Sequence, residues 1–300
     1  MKISRRDFLK TTALTSLYFA GFGGISNANT GTKKNLVIIM LRGGMDGLCA
    51  IPVKGDKNFE KLRSKINLDR TLKLTSDFDL HPALKTFKSL WDQNLSAAVH
   101  ATNIPYTGRS HFDGQNLMES GGKIPYQEKT GWLGRGMKTA GLTGQGLALA
   151  LPMPLLIRGV PMNNNYFPVG RSLPYPSTLE LIQKAYKEYD EKLLNENLEI
   201  ILTRDFNNRS SDDAWILASS AGTELSKPNG PKVAVFEVDG FDTHAAQGAT
   251  DGAHADCLSD YDNIVRSLKS SMSEEAFNNT LVLTLTEFGR TIQQNSSNGT

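Results

Sequence analysis

Five acidic and histidine side chains stand shortly after apolar segments of the sequence, where together they could bind a divalent metal ion. They are Asp46, Asp239, Asp242, His244 and Glu287. Carboxylate oxygens and imidazole nitrogens are ligands for hard and borderline divalent cations, and Zn²⁺, Ca²⁺ and Mg²⁺ are common examples in proteins. We therefore predict a metal site built from these five side chains, and their types leave the choice among the three ions open.

Each part of this predicted site also has a simpler explanation. Asp46 is followed by glycine, and such a pair is typical of a turn. Asp242 could cap a helix and leave His244 as a surface side chain, and Glu287 could simply pair with Arg290. The prediction of a metal site depends on the combination, because three separate segments end in suitable ligands.

Ser110 is the candidate nucleophile. It precedes a segment with helical character, and the free N–H groups of a helix N-terminus favour an anion and help to activate a hydroxyl group. Its neighbour Arg109 could hold two oxygens of a phosphate or sulfate group. The alternative is that Ser110 only caps the helix, and His111 is then either a base or another residue of the capping turn.

Short apolar segments and helical spacing predict the elements that must position these residues. Continuous apolar character predicts strands at 35–41, 96–102, 232–238 and 280–285. Apolar residues at helical spacing, with proline or serine at several starts, predict helices at 82–93, 111–120, 177–195, 211–225 and 258–272. The stretch 141–176 is rich in glycine, proline and asparagine, which predicts loops and short strands.

The alternation of strands and helices predicts an α/β fold, with a mostly parallel sheet covered by helices on both faces. In such sheets, ligands bind beyond the carboxyl ends of the strands. The predicted metal ligands and Ser110 follow strand ends, so we expect them to converge on that one edge.

Composition excludes several other classes of protein. The chain has 300 residues, of which 39% are hydrophobic and 21% charged, as in ordinary globular proteins. Its net charge is +2, but the first 28 residues carry +3 and the remainder −1, so no basic patch indicates a nucleic-acid partner. Two cysteines, Cys49 and Cys257, cannot form a disulfide scaffold and are predicted to be packed thiols.

The first 28 residues resemble a twin-arginine export signal. Arg5 and Arg6 are followed by Asp-Phe-Leu-Lys and then by a moderately apolar stretch. Small residues precede a predicted cleavage site after Ala28. We expect the twin-arginine translocase as an export partner, a periplasmic location and no stable membrane span after cleavage. The alternative is an ordinary amphipathic N-terminal helix.

Five motifs resemble a bacterial family of exported twin-arginine proteins, domain of unknown function 1501 (DUF1501). Starting at residues 41, 109, 131, 239 and 286, they read LRGGMDGL, RSHFD, GWLGR, DGFDTH and TEFGRT. They stand in family order across nearly the whole chain after the leader. The family is similar to the alkaline phosphatase and sulfatase superfamily. The resemblance implies that residues 29–300 form one alkaline-phosphatase-like domain, with a metal site at the carboxyl edge of its sheet.

The resemblance also assigns roles to particular residues. Asp46 would bind a first metal ion, Ser110 would be the nucleophile, and Asp239 or Asp242 would bind a second ion with His244. Relatives carry an Asp-His pair where this chain has Glu287 and phenylalanine, so one imidazole is missing. Relatives also continue into Asp-His-Gly after the final Gly-Thr, which leads us to expect that the C-terminal part of the domain is missing.

Two classes of function follow from the sequence. The first is a metal-dependent hydrolase that cleaves a small anionic phosphate or sulfate ester, with Ser110 as the attacking group and Arg109 orienting the anion. The second is a non-catalytic exported binding or assembly protein, or an inactive fragment, on the same fold. The missing imidazole favours the second class.

Overall fold

The computed structural model describes residues 34–149, 152–166, 176–189, 192–203 and 214–300. The predicted export signal at residues 1–28 lies outside the described residues. The strands are β1 (Asn35–Leu41), β2 (Leu72–Lys73), β3 (Asp79–Leu80), β4 (Gly146–Leu149), β5 (Asn164–Tyr166), β6 (Val233–Val238) and β7 (Thr280–Thr286). The predicted strands at 35–41, 232–238 and 280–285 are therefore confirmed, to within one residue at their ends.

Five of these strands form one sheet in the order β5-β4-β6-β1-β7. Each of its four pairings is parallel, and β1 lies between β6 and β7. Strand β1 reads Asn-Leu-Val-Ile-Ile-Met-Leu and is almost entirely buried, as a strand covered on both faces should be. Strands β2 and β3 form a separate antiparallel pair.

The helices cover both faces of the sheet. They are α1 (Gly47–Ala50), α2 (Lys57–Leu62), α3 (Lys85–Asp92), α4 (His111–Ser120), α5 (Trp132–Thr139), α6 (Pro176–Glu188), α7 (Lys192–Thr203), α8 (Ala214–Ser226), α9 (Ala253–Ser271) and α10 (Glu274–Asn278). A short 3₁₀ helix spans Leu155–Ile157. On one face, Val37 belongs to a buried cluster with Leu217 of α8 and Leu258 of α9. On the other face, Ile38 belongs to a cluster with Met118 of α4. The predicted three-layer α/β architecture is confirmed.

Helix α4 matches its predicted bounds. Ser110 accepts a hydrogen bond from the backbone N–H of Asp113, and Gly121 ends the helix with a left-handed φ of 67°. This is the standard pairing of a serine N-cap with a C-terminal glycine. The capping role of Ser110 is therefore confirmed, and the first helical residue is His111.

Three helix predictions need correction at their ends. The helix predicted at 258–272 begins five residues earlier, at Ala253, and ends at Ser271. The helix predicted at 82–93 begins at Lys85, because the carboxylate of Asp262 on α9 accepts hydrogen bonds from the backbone N–H groups of Thr86 and Phe87. This tertiary cap places the helix start three residues later than Pro82 indicated. The single helix predicted at 177–195 is two helices, α6 and α7, on either side of residues 190 and 191, which lie outside the description.

The strand predicted at 96–102 is wrong. This segment is irregular, Val99 is 78% exposed, and Ala101 has a positive φ of 54°, which interrupts an extended chain. The sheet positions beyond β6 are taken by β4 and β5 from the middle of the chain. This agrees with the loops and short strands predicted for 141–176, as far as that range is described, since residues 150, 151 and 167–175 lie outside the described residues.

Both cysteines are free, and Cys49 is buried while Cys257 is partly buried, as predicted for packed thiols. Burial, with the nearby charge of Asp46, raises the pKa of the Cys49 thiol to about 12. The thiol is therefore protonated at neutral pH. In the described parts of the chain, we find no helix with the length and apolar character needed to cross a membrane.

Candidate metal centre

Three parallel strands deliver their following loops to one edge of the sheet. Leu41 at the end of β1 is in register with Val238 of β6 and with Thr286 of β7. The chain therefore leaves all three strands at the same level, as expected for parallel neighbours. The loops that begin at residues 42, 239 and 287 meet there, together with the N-terminus of α4.

Gly43 permits the close contact between these loops. Its φ is +111°, and a Cβ atom at this position would lie only 2.3 Å from the backbone nitrogen of Asp242. Its own backbone N–H donates a hydrogen bond to Glu287 at 2.9 Å. The glycine thus joins the loop after β1 to the loops after β6 and β7.

His111, Asp242 and His244 bring ligand atoms within 4.8 Å of one another. The Oδ1 atom of Asp242 lies 3.3 Å from Nε2 of His111 and 3.0 Å from Nε2 of His244. Two imidazoles and one carboxylate are a donor set typical of Zn²⁺ and other borderline divalent ions. The side chains of Asp242 and His244 are 47% and 66% exposed, so solvent and small molecules can reach the group.

Glu287 lies behind His111 and outside the group of three ligand atoms. Its buried carboxylate accepts hydrogen bonds from Nδ1 of His111 at 2.8 Å and from the side-chain amide of Gln115 at 3.1 Å. Burial opposes ionisation, but these hydrogen bonds outweigh it and lower the pKa of Glu287. The ring of Phe288 also packs 4.7 Å from that of His111. A carboxylate on the second ring nitrogen is the usual means of orienting a metal-binding histidine.

Asp46 lies in the buried layer below this edge. One of its oxygens accepts from the backbone N–H groups of Leu48 and Cys49, so Asp46 caps α1. The other oxygen accepts from the side-chain amide of Gln247 at 2.7 Å and from the guanidinium of Arg63. Burial disfavours its charge, but Arg63 outweighs burial and lowers the pKa of Asp46. All these contacts are with the protein itself, and metal binding by Asp46 stays a prediction.

Asp239 and Arg109 are exposed side chains outside the three-residue group. Asp239 follows β6 directly, whereas Asp242 lies three residues later, where the loop returns against Gly43. The structure therefore brings together two of the five predicted ligands, Asp242 and His244, and adds His111. The roles of Asp239 as a ligand and of Arg109 as an anion-binding group stay predictions.

Arg290 and Arg63 are the functional candidates that sequence reasoning missed. Arg290 donates to Oδ1 of Asp242 at 2.8 Å, and its other terminal nitrogen lies 2.8 Å from Nδ1 of His244. The alternative that Arg290 simply pairs with Glu287 is therefore wrong. Arg63 is a fully buried arginine, and no motif in the sequence around it indicates this burial. The sequence marked Arg290 only as part of the TEFGRT motif and as a possible partner of Glu287.

Two further histidines, His81 and His254, have contacts that suit a structural role. Nδ1 of His81 accepts from the backbone N–H of Ala83 at 3.1 Å, and Nε2 faces the carbonyl of Ala249 at 2.9 Å, as suits a residue at a helix entry. His254 is buried beside Phe241, and burial lowers its pKa to about 4. It is therefore neutral at pH 7.

A cavity of about 830 Å³ lies between α3 and α9. Its lining includes Lys85, Ser89 and Arg266 together with apolar residues such as Pro82 and Ala83. None of the three ligand residues lines it, so this cavity is separate from the metal centre.

Comparison with family models found a match over the C-terminal part of the chain. Residues 225–300 match the family model "Protein of unknown function (DUF1501)". The match supports the DUF1501 resemblance noted in the sequence, and its range includes Asp242, His244, Glu287 and Arg290. Comparison with curated proteins and with solved structures found no match.

Proposed function

We propose that this protein binds a divalent metal ion through His111, Asp242 and His244 and hydrolyses a phosphate or sulfate ester there. The observation that carries the proposal is the meeting of these three ligand atoms within 4.8 Å at the carboxyl edge of a parallel sheet. Ligands are expected at that edge in open α/β sheets. The donor set favours Zn²⁺, and the bound ion would polarise the ester and neutralise its negative charge.

Exposure of the ligands supports a catalytic role over a purely structural one. Structural zinc sites usually have four protein ligands, whereas catalytic sites have three and leave a position open. Here three side chains converge, and two of them are about half exposed or more. The hydrolase is therefore the function that the arrangement favours over a non-catalytic binding or assembly protein.

Ser110 immediately precedes the ligand His111 in the sequence and is the N-cap of the helix that His111 begins. Its Oγ atom accepts from the N–H of Asp113 at 3.3 Å, which uses a lone pair and leaves the hydroxyl proton free to be given up. The free N–H groups of the first turn of α4 favour negative charge beside the attacking oxygen. The guanidinium of Arg109, one residue earlier, would hold oxygens of the anionic ester.

Ester turnover by the purified protein tests this proposal. We expect hydrolysis of an aryl phosphate or aryl sulfate in the presence of Zn²⁺, loss of turnover with a chelator, and recovery when metal is returned. Asp242→Asn should lose metal binding and turnover together. Metal binding without turnover of either ester would replace the hydrolase with the non-catalytic binding role, and absence of metal binding would overturn the proposal.

We further propose that the protein reaches the periplasm through the twin-arginine translocase, with cleavage after Ala28. The support is the Arg5-Arg6 pair and the small residues before that position. Replacing both arginines with lysine is expected to stop export, whereas Lys2→Gln keeps the pair and should be exported normally. Cell fractionation and N-terminal sequencing measure both points. Export of the double-lysine variant at the normal level would contradict this route.

A further inference from the structure

The two histidines of the candidate metal centre differ in the partner of Nδ1, which is an acceptor for His111 and a donor for His244. Nδ1 of His111 faces the carboxylate of Glu287 at 2.8 Å. A carboxylate only accepts, so Nδ1 carries the proton and Nε2 is the nitrogen directed at Asp242. A metal-binding histidine normally donates its second N–H in this manner. In its neutral form His111 therefore has the tautomer that binds a metal through Nε2.

His244 is held in the other neutral tautomer. Its Nδ1 atom lies 2.8 Å from a terminal nitrogen of Arg290. A guanidinium has only donors, so Nδ1 must offer its lone pair, and the proton of the neutral ring is on Nε2. That is the nitrogen 3.0 Å from the carboxylate of Asp242. In this tautomer Nε2 carries the proton of the neutral ring and has no lone pair for a metal ion.

Arg290 also occupies the carboxylate that a metal ion would use. Its Nη1 atom donates at 2.8 Å to the same Oδ1 atom of Asp242 that both histidines face. The arginine side chain is only 3% exposed and donates at 3.2 Å to the carbonyl oxygen of Gly43. The guanidinium is thus a fixed positive charge in direct contact with two of the three ligands.

We propose that Arg290 is an internal cation that competes with the metal ion, so that metal binds fully only when the guanidinium leaves Asp242 and His244. The inference rests on the proposed function, because it concerns the same three ligands. Its physical reason is that Oδ1 of Asp242 and the ring of His244, as they are now positioned, cannot contact the guanidinium and bind a divalent ion at the same time. Arg290 therefore lowers the metal affinity of the site and makes binding depend on a rearrangement.

Zn²⁺ affinity, measured by competition with a chromogenic chelator, tests the inference. Arg290→Gln removes the charge and keeps a polar side chain, and we expect Zn²⁺ to bind at least about tenfold more tightly than to wild type. Arg158→Gln removes an equal charge from an exposed side chain that donates to the Met153 carbonyl, and should leave the affinity within about twofold. Glu287→Gln should act in the opposite direction and weaken binding by about 10- to 100-fold.

Histidine tautomers give a second measurement that does not depend on activity. Long-range ¹H–¹⁵N NMR spectra should show His244 with its proton on Nε2 in the metal-free wild type, and Zn²⁺ should move that proton to Nδ1. Zn²⁺ binding by wild type with no tighter binding by a folded Arg290→Gln would overturn the competition while leaving the proposed metal site intact. If neither protein binds Zn²⁺, the metal site and the competition both fail.

Discussion

Ser110→Ala is expected to reduce kcat/KM for ester hydrolysis by at least about 10³-fold, while the Zn²⁺ dissociation constant stays within about threefold. The reason for the large loss is that a covalent mechanism cannot proceed without its attacking oxygen. The reason for the small change in metal binding is that Ser110 is not one of the three ligands, and His111 keeps its hydrogen bond to Glu287. Steady-state kinetics and chelator competition measure the two quantities.

The capping role of Ser110 must be separated from catalysis. Alanine at an N-cap costs about 1 kcal/mol of stability, which alone should not abolish turnover. Ser273→Ala is the matched control, because Ser273 caps α10 by accepting from the N–H of Ala276 just as Ser110 caps α4. Ser110→Asn retains capping without the hydroxyl and should lose turnover as completely as alanine. Turnover by Ser110→Asn near the wild-type rate would remove Ser110 from the chemistry.

Arg63→Met is expected to lower the free energy of unfolding by about 3–5 kcal/mol. The side chains of Arg63 and Asp46 are 0% and 1% exposed, and the variant would leave the Asp46 carboxylate buried without its counter-charge. It would also remove the hydrogen bonds that Arg63 donates, each at 2.7 Å, to the carbonyl oxygens of Thr291 and Ile292. Urea denaturation followed by circular dichroism measures the change.

A surface ion pair provides the control for this stability prediction. Lys88 and Asp92 are 25% and 59% exposed, so Lys88→Met should cost less than about 1 kcal/mol. Asp46→Asn should also be strongly destabilising, since it leaves the Arg63 charge buried, and the double variant should recover part of the loss. A loss below about 1 kcal/mol for Arg63→Met would show that neither the buried pair with Asp46 nor the hydrogen bonds from Arg63 to the loop after β7 stabilise the protein appreciably.

Local patterns were sufficient for much of the fold. The apolar residues of β1, β6 and β7 marked buried strands, because a strand covered on both faces needs apolar side chains at nearly every position. Ser110 and Gly121 marked the ends of α4, because N-caps and left-handed C-caps have strong residue preferences. The segment 96–102 misled the prediction, because a short apolar segment can resemble a buried strand, although alanine has a low strand propensity. The sheet contains β4 and β5 instead.

The sequence by itself determined the alternation of strands and helices, and with it the edge of the sheet to which Asp242, His244 and Glu287 are delivered. Only the tertiary structure decided which of these side chains meet. It placed His111 in the ligand group, Glu287 behind it, and Arg290 on Asp242. The physical reason is that such contacts join residues from 48 to 176 positions apart in the sequence, and local spacing carries no information about the pairing of distant side chains. Whether a carboxylate faces a metal ion, an imidazole or a guanidinium depends on how the loops pack at that edge.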